Sequence, residues 1–387
     1  MSLALDISSL APALPWVLFP LVALWRVRRA TTLEQFPPEL PDDAPLVSIV
    51  VPARNERRNV ERCLRSMLGT RYPRLEVFLI DDHSDDGTGE IARAIAASDA
   101  RLRVLQSPPL PPGWLGKQWA CATGARASHG DILLFADADT EQAPDLVPRA
   151  VNAMRALGAD LLSVAGRQEL GTFWERVLQP QIFMMLFIRY GGTEGVNRAR
   201  RPENVIANGQ CFLVRRDAYH AIGGHEAVRQ NAAEDLMLAQ AMLRSGRRVR
   251  FVLGPRQLST RMYTSLRELV EGWSKNIYAG GLHTAPFGAF GRALYPLALL
   301  VAPLFFLLPV VVLVLSVTGI MPDAVAWSAI ATTATVLWWA LVYRQLEESP
   351  LHALLYPLGS ALLLYICVRA VLRGRRVVWK GREYVTR

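Results

Sequence analysis

Seven carboxylates in four short patches carry the chemistry of this 387-residue chain. The patches are Pro52-Ala53-Arg54-Asn55-Glu56, Asp81-Asp82-His83, Asp137-Ala138-Asp139 and Glu234-Asp235, and each follows or approaches an apolar run. In a parallel sheet the ends of successive strands share one edge. Acids placed just after separate strands therefore converge on one crevice, where open α/β sheets bind their ligands. A crevice lined with carboxylates calls for a cation, and a cation there invites a diphosphate. Asp137 and Asp139 lie two apart at a strand end, so in extended chain they point to one face and can both address one divalent ion. Hard carboxylate oxygens suit Mg²⁺ or Mn²⁺, which keep open positions for phosphate oxygens. Taken alone, an Asp-x-Asp is more often a turn or a cap; the strand position and the company it keeps favour the metal.

The elements that must position these groups are legible. Runs at 46–51, 75–80, 102–105 and 132–136 are short, apolar and largely β-branched or aromatic, about thirty residues apart with helix-compatible stretches between them. That rhythm predicts βαβ units and a mainly parallel sheet. No G-x-G-x-x-G follows the first strand, and Gly113-Trp114-Leu115-Gly116-Lys117 lacks Walker A spacing, which argues against NAD and against ATP hydrolysis. Lys117, at a Gly-rich helix start, reads equally as a solvated charge or as a diphosphate contact. Asn208-Gly209-Gln210, before the strand 211–214, offers small and amide-bearing residues where backbone must approach a sugar. Asp85 and Asp86 before Gly87-Thr88 read as turn and cap residues. Asn231 and Glu234 have the spacing of a capping box, which makes Glu234 a helix cap and leaves Asp235 free to act as a base, with the helix N-terminus holding its pKa down.

Hydrophobic residues make up 51% of the chain, and the surplus sits in four uncharged stretches: 7–25, 293–322, 324–343 and 349–368. Each meets or approaches the ~20 apolar residues that span a bilayer. The first lacks a positive n-region and reads as an uncleaved anchor, with Arg26, Arg28 and Arg29 placing the next domain in the cytosol. The basic tail (Arg369, Arg373, Arg375, Arg376, Lys380, Arg382) argues for the same side. Three C-terminal crossings would strand that tail outside, so one segment is expected to be re-entrant or interfacial, broken at Pro296, Pro303, Pro309, Pro350 or Pro357. The stretch 173–190 fits an interfacial helix, with a core helix as the competing reading. Four scattered cysteines without Cys-x-x-Cys indicate neither a zinc site nor a disulfide framework. The +9 charge fits a protein lying against anionic lipid. No aromatic-interleaved basic stripe points to nucleic acid.

As an ordered set, Val50-Val51-Pro52-Ala53-Arg54-Asn55-Glu56, Ile80 to Thr88, Phe135-Ala136-Asp137-Ala138-Asp139 and Glu234-Asp235 resemble the family 2 glycosyltransferases of GT-A fold, over about residues 46 to 280. The resemblance implies a nucleotide-sugar donor, with Glu56 and Asp82 on its base and ribose, Asp139 holding the metal on its diphosphate, and Asp235 as the base that deprotonates the acceptor. Inversion would follow from a single displacement. Pro52, Arg54, Lys117, Asp137, Asn208, Gly209, Gln210, Glu234 and Trp273 complete the expected donor site. Where processive members carry Gln-x-x-Arg-Trp, this chain keeps only Trp273, which argues for one sugar per acceptor; Trp273 is read as an acceptor-site wall or as an aromatic anchor at the lipid interface. Leu110 to Lys117, Glu271-Gly272-Trp273-Ser274-Lys275-Asn276 and Trp379-Lys380-Gly381-Arg382 resemble the membrane glycosyltransferases of hopanoid and carotenoid pathways. These imply a polycyclic or polyene lipid acceptor, ahead of a polyprenyl phosphate or diacylglycerol. The expected organisation is an anchor at 1–30, a GT-A domain at 46–290, a transmembrane region at 293–370 and a basic cytosolic tail at 371–387. The rival classes are a metal-dependent phosphatase, against which Thr140 follows Asp139 one position too early, and a non-catalytic sugar-nucleotide binder, against which Asp235 is present.

Overall fold

The computed structural model describes residues 7–374, 376–379 and 382–385; residues 1–6 of the expected anchor and 375, 380, 381, 386 and 387 of the expected tail lie outside them. In chain order the helices and strands are α1 (Leu14–Val27), β1 (Val47–Ala53), α2 (Val60–Leu68), β2 (Leu75–Asp81), α3 (Thr88–Ala96), β3 (Leu102–Gln106), α4 (Gly116–Ala127), β4 (Ile132–Ala136), β5 (Thr140–Gln142) and α5 (Leu146–Leu157). There follow β6 (Leu161–Ala165), β7 (Arg167–Gln168), α6 (Phe173–Tyr190), α7 (Gly192–Asn197), β8 (Cys211–Arg215), α8 (Arg216–Ala221), α9 (Glu234–Arg244), β9 (Val249–Leu253), β10 (Leu258–Thr260) and α10 (Leu266–Gly281). Three long helices come next, α11 (Gly288–Val317), α12 (Val325–Gln345) and α13 (Tyr356–Arg373).

The main sheet has the order β3-β2-β1-β4-β8-β6-β9. The four strands read from sequence form one contiguous parallel half, with Ala53 opposite Asp81 and Val50 opposite Phe135. β8 is the exception, antiparallel to both β4 and β6. The sheet is therefore mainly parallel, as expected. Side chains alternate across it with the period of two that a strand imposes. Ile49 and Val51 pack with α2, α3 and α5, whereas Val50 packs with α4 and α9 on the other face. Burial on both faces is why β1 is an unbroken apolar run.

A Cβ at Gly124 would stand 2.4 Å from Val50 Cγ1, so α4 lies closer to the sheet than a larger residue permits. This sets the depth at which its first turn, carrying Lys117, enters the crevice.

Four helical segments are long and apolar enough to cross a membrane: Ser9–Val27, Gly288–Val317, Pro322–Gln345 and Pro350–Arg373. α11 packs on α12 and α13, and α1 on α12. The break expected at Pro296, Pro303 or Pro309 is absent, because α11 continues through all three; apolar helices tolerate proline where neighbours re-satisfy the freed carbonyls. The interfacial reading of 173–190 is corrected for residues 175–182, while Phe173 and Ile188 near the ends of the helix are exposed. Leu178 and Ile182 are buried against α10 and α13, and Val177, Gln179 and Gln181 are buried with them. Gln179 Oε1 accepts a 3.0 Å bond from Trp273 Nε1, and Gln181 Oε1 a 3.1 Å bond from Ser360 Oγ. The competing core-helix reading was right for the centre of α6, whose amides find partners a lipid interface would not supply.

Candidate active site

Asp137-Ala138-Asp139 is a turn between β4 and β5 and not extended chain, so the same-face argument for the two acids does not hold. The turn is pinned by its backbone. Thr140 Oγ1 donates to Asp137 O at 2.8 Å, and Thr260 Oγ1 on β10 donates to Asp139 O at 3.3 Å. β10 pairs with β5 and β7 in a small second sheet. Beyond β10, the buried Glu175 accepts from Arg261 Nε at 3.0 Å and Nη2 at 3.1 Å, a fork that ties α6 to this sheet.

The two acids are held differently. Asp137 Oδ1 accepts from Lys117 Nζ at 2.7 Å. Asp139 Oδ1 is buried and has no hydrogen-bond partner. Burial, then the charges of Asp137 and Glu56, push the Asp139 carboxyl up to about 7. A buried carboxylate oxygen without a donor, among negative neighbours, fits a divalent cation. Among the described residues no three or more His, Cys, Asp or Glu side chains gather as a metal cage. Mg²⁺ and Mn²⁺ need none, because one or two carboxylates suffice when phosphate oxygens complete the shell.

Lys117 spans the crevice. Its Nζ also lies 2.6 Å from Glu234 Oε1, so one ammonium joins the β4 turn to the start of α9. Burial opposes the charge, yet Asp137, Glu234 and Asp235 hold its pKa well above the ordinary lysine value. The capping-box reading is corrected here: α9 begins at Glu234 itself, its N-cap is Ala233, and no side chain caps it. Glu234 is buried in an ion pair, not closing a helix end. Asp235 Oδ2 accepts from the Gly209 amide at 2.6 Å and Oδ1 from the Leu236 amide at 2.7 Å. These bonds and the helix N-terminus should hold its pKa down. Burial, followed by the charge of Glu234, prevails and pushes it up to about 7, so the expected weakening of this base is overturned.

The antiparallel β8 explains how Asn208-Gly209-Gln210 arrives. Ala136 pairs with Cys211, so β8 brings its beginning, and not its end, to the edge where β4 finishes. Asn208 is fixed by its amide to Ser163 Oγ at 2.7 Å and by Nδ2 to Gln210 Oε1 at 3.0 Å. A Cβ at Gly209 would stand 3.0 Å from Asp235 Oδ2 and 3.2 Å from Lys117 Nζ. Gly209→Ala should therefore displace both groups by a few tenths of an ångström and lower turnover by on the order of tenfold, with the melting temperature nearly unchanged. Steady-state rates beside a thermal melt check this.

At the other end of the crevice Pro52 is the penultimate residue of β1 and Arg54 reaches Asp82, its Nη1 donating to Asp82 O at 2.6 Å and lying 3.6 Å from Oδ2. Glu56 Oε2 accepts from Asn59 Nδ2 at 3.1 Å. Asn55 and His83, one after each strand, have φ of 54° and 55°; such left-handed residues are uncommon outside glycine and gather at functional sites. Asp86 is the turn residue expected, accepting from the Thr88 amide and hydroxyl at 3.0 and 2.6 Å.

Trp273 lies outside this group. It is buried, edge-to-face with Phe183 and Tyr263, and anchors α10 on α6. The same motif holds residues that sequence reasoning missed. Gly272 leaves room for the Tyr263 ring, and Asn276 Nδ2 donates to Tyr263 Oη at 3.4 Å. Lys275 lies in the field of Lys117, Glu234 and Asp137; burial and then Lys117 lower its pKa to about 8. His225 is buried beside Phe135 and paired with Tyr219, and burial, then Lys117, hold it neutral with a pKa of about 3. Spacing gave no signal for either, because α10 and the segment before α9 join the crevice only through tertiary packing.

Residues 48–223 match the model of the family described as Glycosyl transferase family 2. A 4,4'-diaponeurosporenoate glycosyltransferase of Staphylococcus haemolyticus (strain JCSC1435) is 28% identical over 249 residues, 62% of this chain and 63% of that protein. One of Staphylococcus aureus (strain USA300) is 27% identical over 248 residues, again 62% and 63%. The match spans a little under two thirds of the length of these relatives. Among solved structures, the mannosyltransferase PcManGT from Pyrobaculum calidifontis, in complex with GDP-Man and Mn²⁺, is 20% identical with a TM-score of 0.51 over 95% of this chain and 96% of that one. At that identity the likeness is one of fold, the GT-A fold.

Proposed function

We propose that this chain, whose residues 48–223 match the family 2 glycosyltransferase model, is a glycosyltransferase that moves one sugar from a nucleotide-sugar donor to a carotenoid- or hopanoid-like lipid acceptor, with inversion. The observation that carries this reading is the Lys117 bridge between Asp137 and Glu234 at 2.7 and 2.6 Å, which sets Asp139 and Asp235 in one crevice. Donor and acceptor chemistry need those two groups together. Pro52, Arg54, Glu56 and Asp82 take the nucleoside, Asn208, Gly209 and Gln210 border the sugar, and Asp139, with Asp137 beside it, would hold Mg²⁺ or Mn²⁺. A cation bound there would supply the positive charge that the departing diphosphate needs. Lys117 holds Asp137 and Glu234 in place and offers a second positive charge to the same phosphates. Asp235, fixed by the Gly209 and Leu236 amides, takes the acceptor proton. One base and one in-line attack give inversion.

The relatives' name, 4,4'-diaponeurosporenoate glycosyltransferase, supports a carotenoid-type acceptor. Four helical segments able to cross a membrane support delivery of that acceptor from the bilayer. Arg26, Arg28 and Arg29 at the C-terminal end of α1 favour a cytosolic catalytic domain in the cytoplasmic membrane. The corresponding organisation is an anchor at 1–30, a catalytic domain at 46–290, a membrane region at 293–370 and a tail at 371–387. The purified full chain, given labelled nucleotide sugars and polyene or polycyclic lipid acceptors in turn, should yield a product one hexose heavier by mass spectrometry. Long homopolymer products, or transfer only to polyprenyl phosphate or diacylglycerol, would overturn the reading.

A further inference from the structure

Two neighbouring clefts are lined by none of the crevice residues, and the larger adjoins the C-terminal end of α1. The larger, about 790 Å³, is walled by Trp25, Arg26 and Arg29 of that end, by Ile188, Arg189 and Tyr190 at the end of α6, and by the stretch from Glu194 to Asn204. The smaller, about 470 Å³, shares Arg198, Ala199 and Arg200 with it and adds Arg247, Arg248 and Arg250. The only acid in either lining is Glu194, which pairs with Arg198 at 2.9 Å.

Several of these arginines have structural work. Arg189 donates to Glu203 O at 2.8 Å and also to Thr284 O, and Arg250 to Asn197 O at 3.2 Å. Others do not. Arg26, Arg200 and Arg201 are exposed, and among the described residues no carboxylate pairs with them. Arg247 Nε is buried without a hydrogen-bond partner. Like charges crowded this way destabilise a fold, and a bound anion removes that cost.

We propose that this arginine-walled cleft binds the anionic phosphodiester headgroups of the leaflet that α1 enters. Its placement selects lipid over other anions. The apolar segment Ser9–Val27 ends at the cleft, and Trp25 is exposed there with the Arg29 guanidinium 4.1 Å over its ring. An aromatic ring followed by arginines is what the headgroup level of a bilayer favours. Exposed Ile188 on the opposite wall adds apolar surface that a headgroup with its glycerol and upper acyl carbons can cover and that a free phosphate cannot. A basic cluster directly beyond a membrane helix is the arrangement that recognises anionic lipid. Because the headgroup is held beside α1, it fixes how the catalytic domain sits on the membrane. This inference rests on α1 entering a bilayer and not on sugar transfer.

The test uses the full chain in phosphatidylcholine vesicles doped with a photoactivatable phosphatidylglycerol or, separately, a photoactivatable phosphatidylcholine. The phosphatidylglycerol probe should label the segments 25–29 and 188–204 several-fold more than the phosphatidylcholine probe, more weakly in high salt. R200Q/R201Q, at two exposed positions, should cut that preference about tenfold while leaving phosphatidylcholine labelling and the melting temperature unchanged. R247Q on the neighbouring wall should reduce it independently of any effect on α1. Equal labelling by the two probes, or labelling untouched in both variants, overturns the proposal. So does full competition by inorganic phosphate or by a duplex oligonucleotide, which would make the cleft a free-anion or nucleic-acid site.

Discussion

Asp139→Asn is expected to reduce sugar transfer by ~10³-fold or more, since a bound cation supplies several kcal/mol of charge stabilisation and each 1.36 kcal/mol is tenfold. The expectation follows from the one buried carboxylate oxygen of the β4 turn that lacks a partner. Asp137 cannot substitute for it without releasing Lys117, which it holds at 2.7 Å. The backbone that positions Asp139 stays intact, because Thr260 bonds its carbonyl and not its side chain. Stability should even rise slightly, since the amide removes a negative charge from beside Asp137 and Glu56. The measurement is turnover against Mn²⁺ concentration, with Mn²⁺ binding in the presence of a nucleoside diphosphate read by titration calorimetry. The variant should lose both, with an unchanged or higher melting temperature. Full transfer by the unaltered chain in excess EDTA would sink the metal role altogether.

How much of this was visible in sequence depends on the range of the interaction concerned. β1 to β4 were legible because each is a local apolar run between turn residues, and the parallel edge followed from their spacing. The convergence of their acids follows from topology and needs no side-chain detail. What sequence misjudged was decided by tertiary partners. Local spacing made Glu234 a capping partner of Asn231, yet the helix starts two residues later than that box requires, and Lys117, 117 positions earlier, draws the Glu234 carboxylate into the crevice. The same holds for α6: its apolar composition suits an interface, but Trp273 and Ser360 satisfy its amides and make its centre core. Trp273, expected at an acceptor wall or a lipid interface, is enclosed by Phe183 and Tyr263. Lys275 was invisible because nothing within its own helix marks which side faces the acids.

Asp235→Asn is expected to cost 10²–10⁴-fold in turnover, the usual loss on removing a general base. Its geometry adds a second reason for a large effect. Both carboxylate oxygens accept backbone N–H bonds, from Gly209 and Leu236, so an asparagine must turn its NH₂ toward one of two donors. The crevice should shift slightly while donor affinity holds, because neither Asp235 contact reaches Glu56 or Asp82. Glu234→Gln differs in kind. It leaves the base, but frees Lys117 from one of its two carboxylates and takes a negative charge from beside Asp235. Glu234 is one cause of the raised Asp235 pKa, after burial, so its loss should lower that pKa. In the unaltered chain the base must be ionised, so turnover should fall as pH drops through about 7. In Glu234→Gln that descent should move to lower pH, with a plateau reduced by on the order of tenfold from the looser Lys117. A pH profile therefore separates the two carboxylates. An unmoved profile in Glu234→Gln, or one that loses its acid limb there while Asp235→Asn keeps it, would transfer the base role from Asp235 to Glu234.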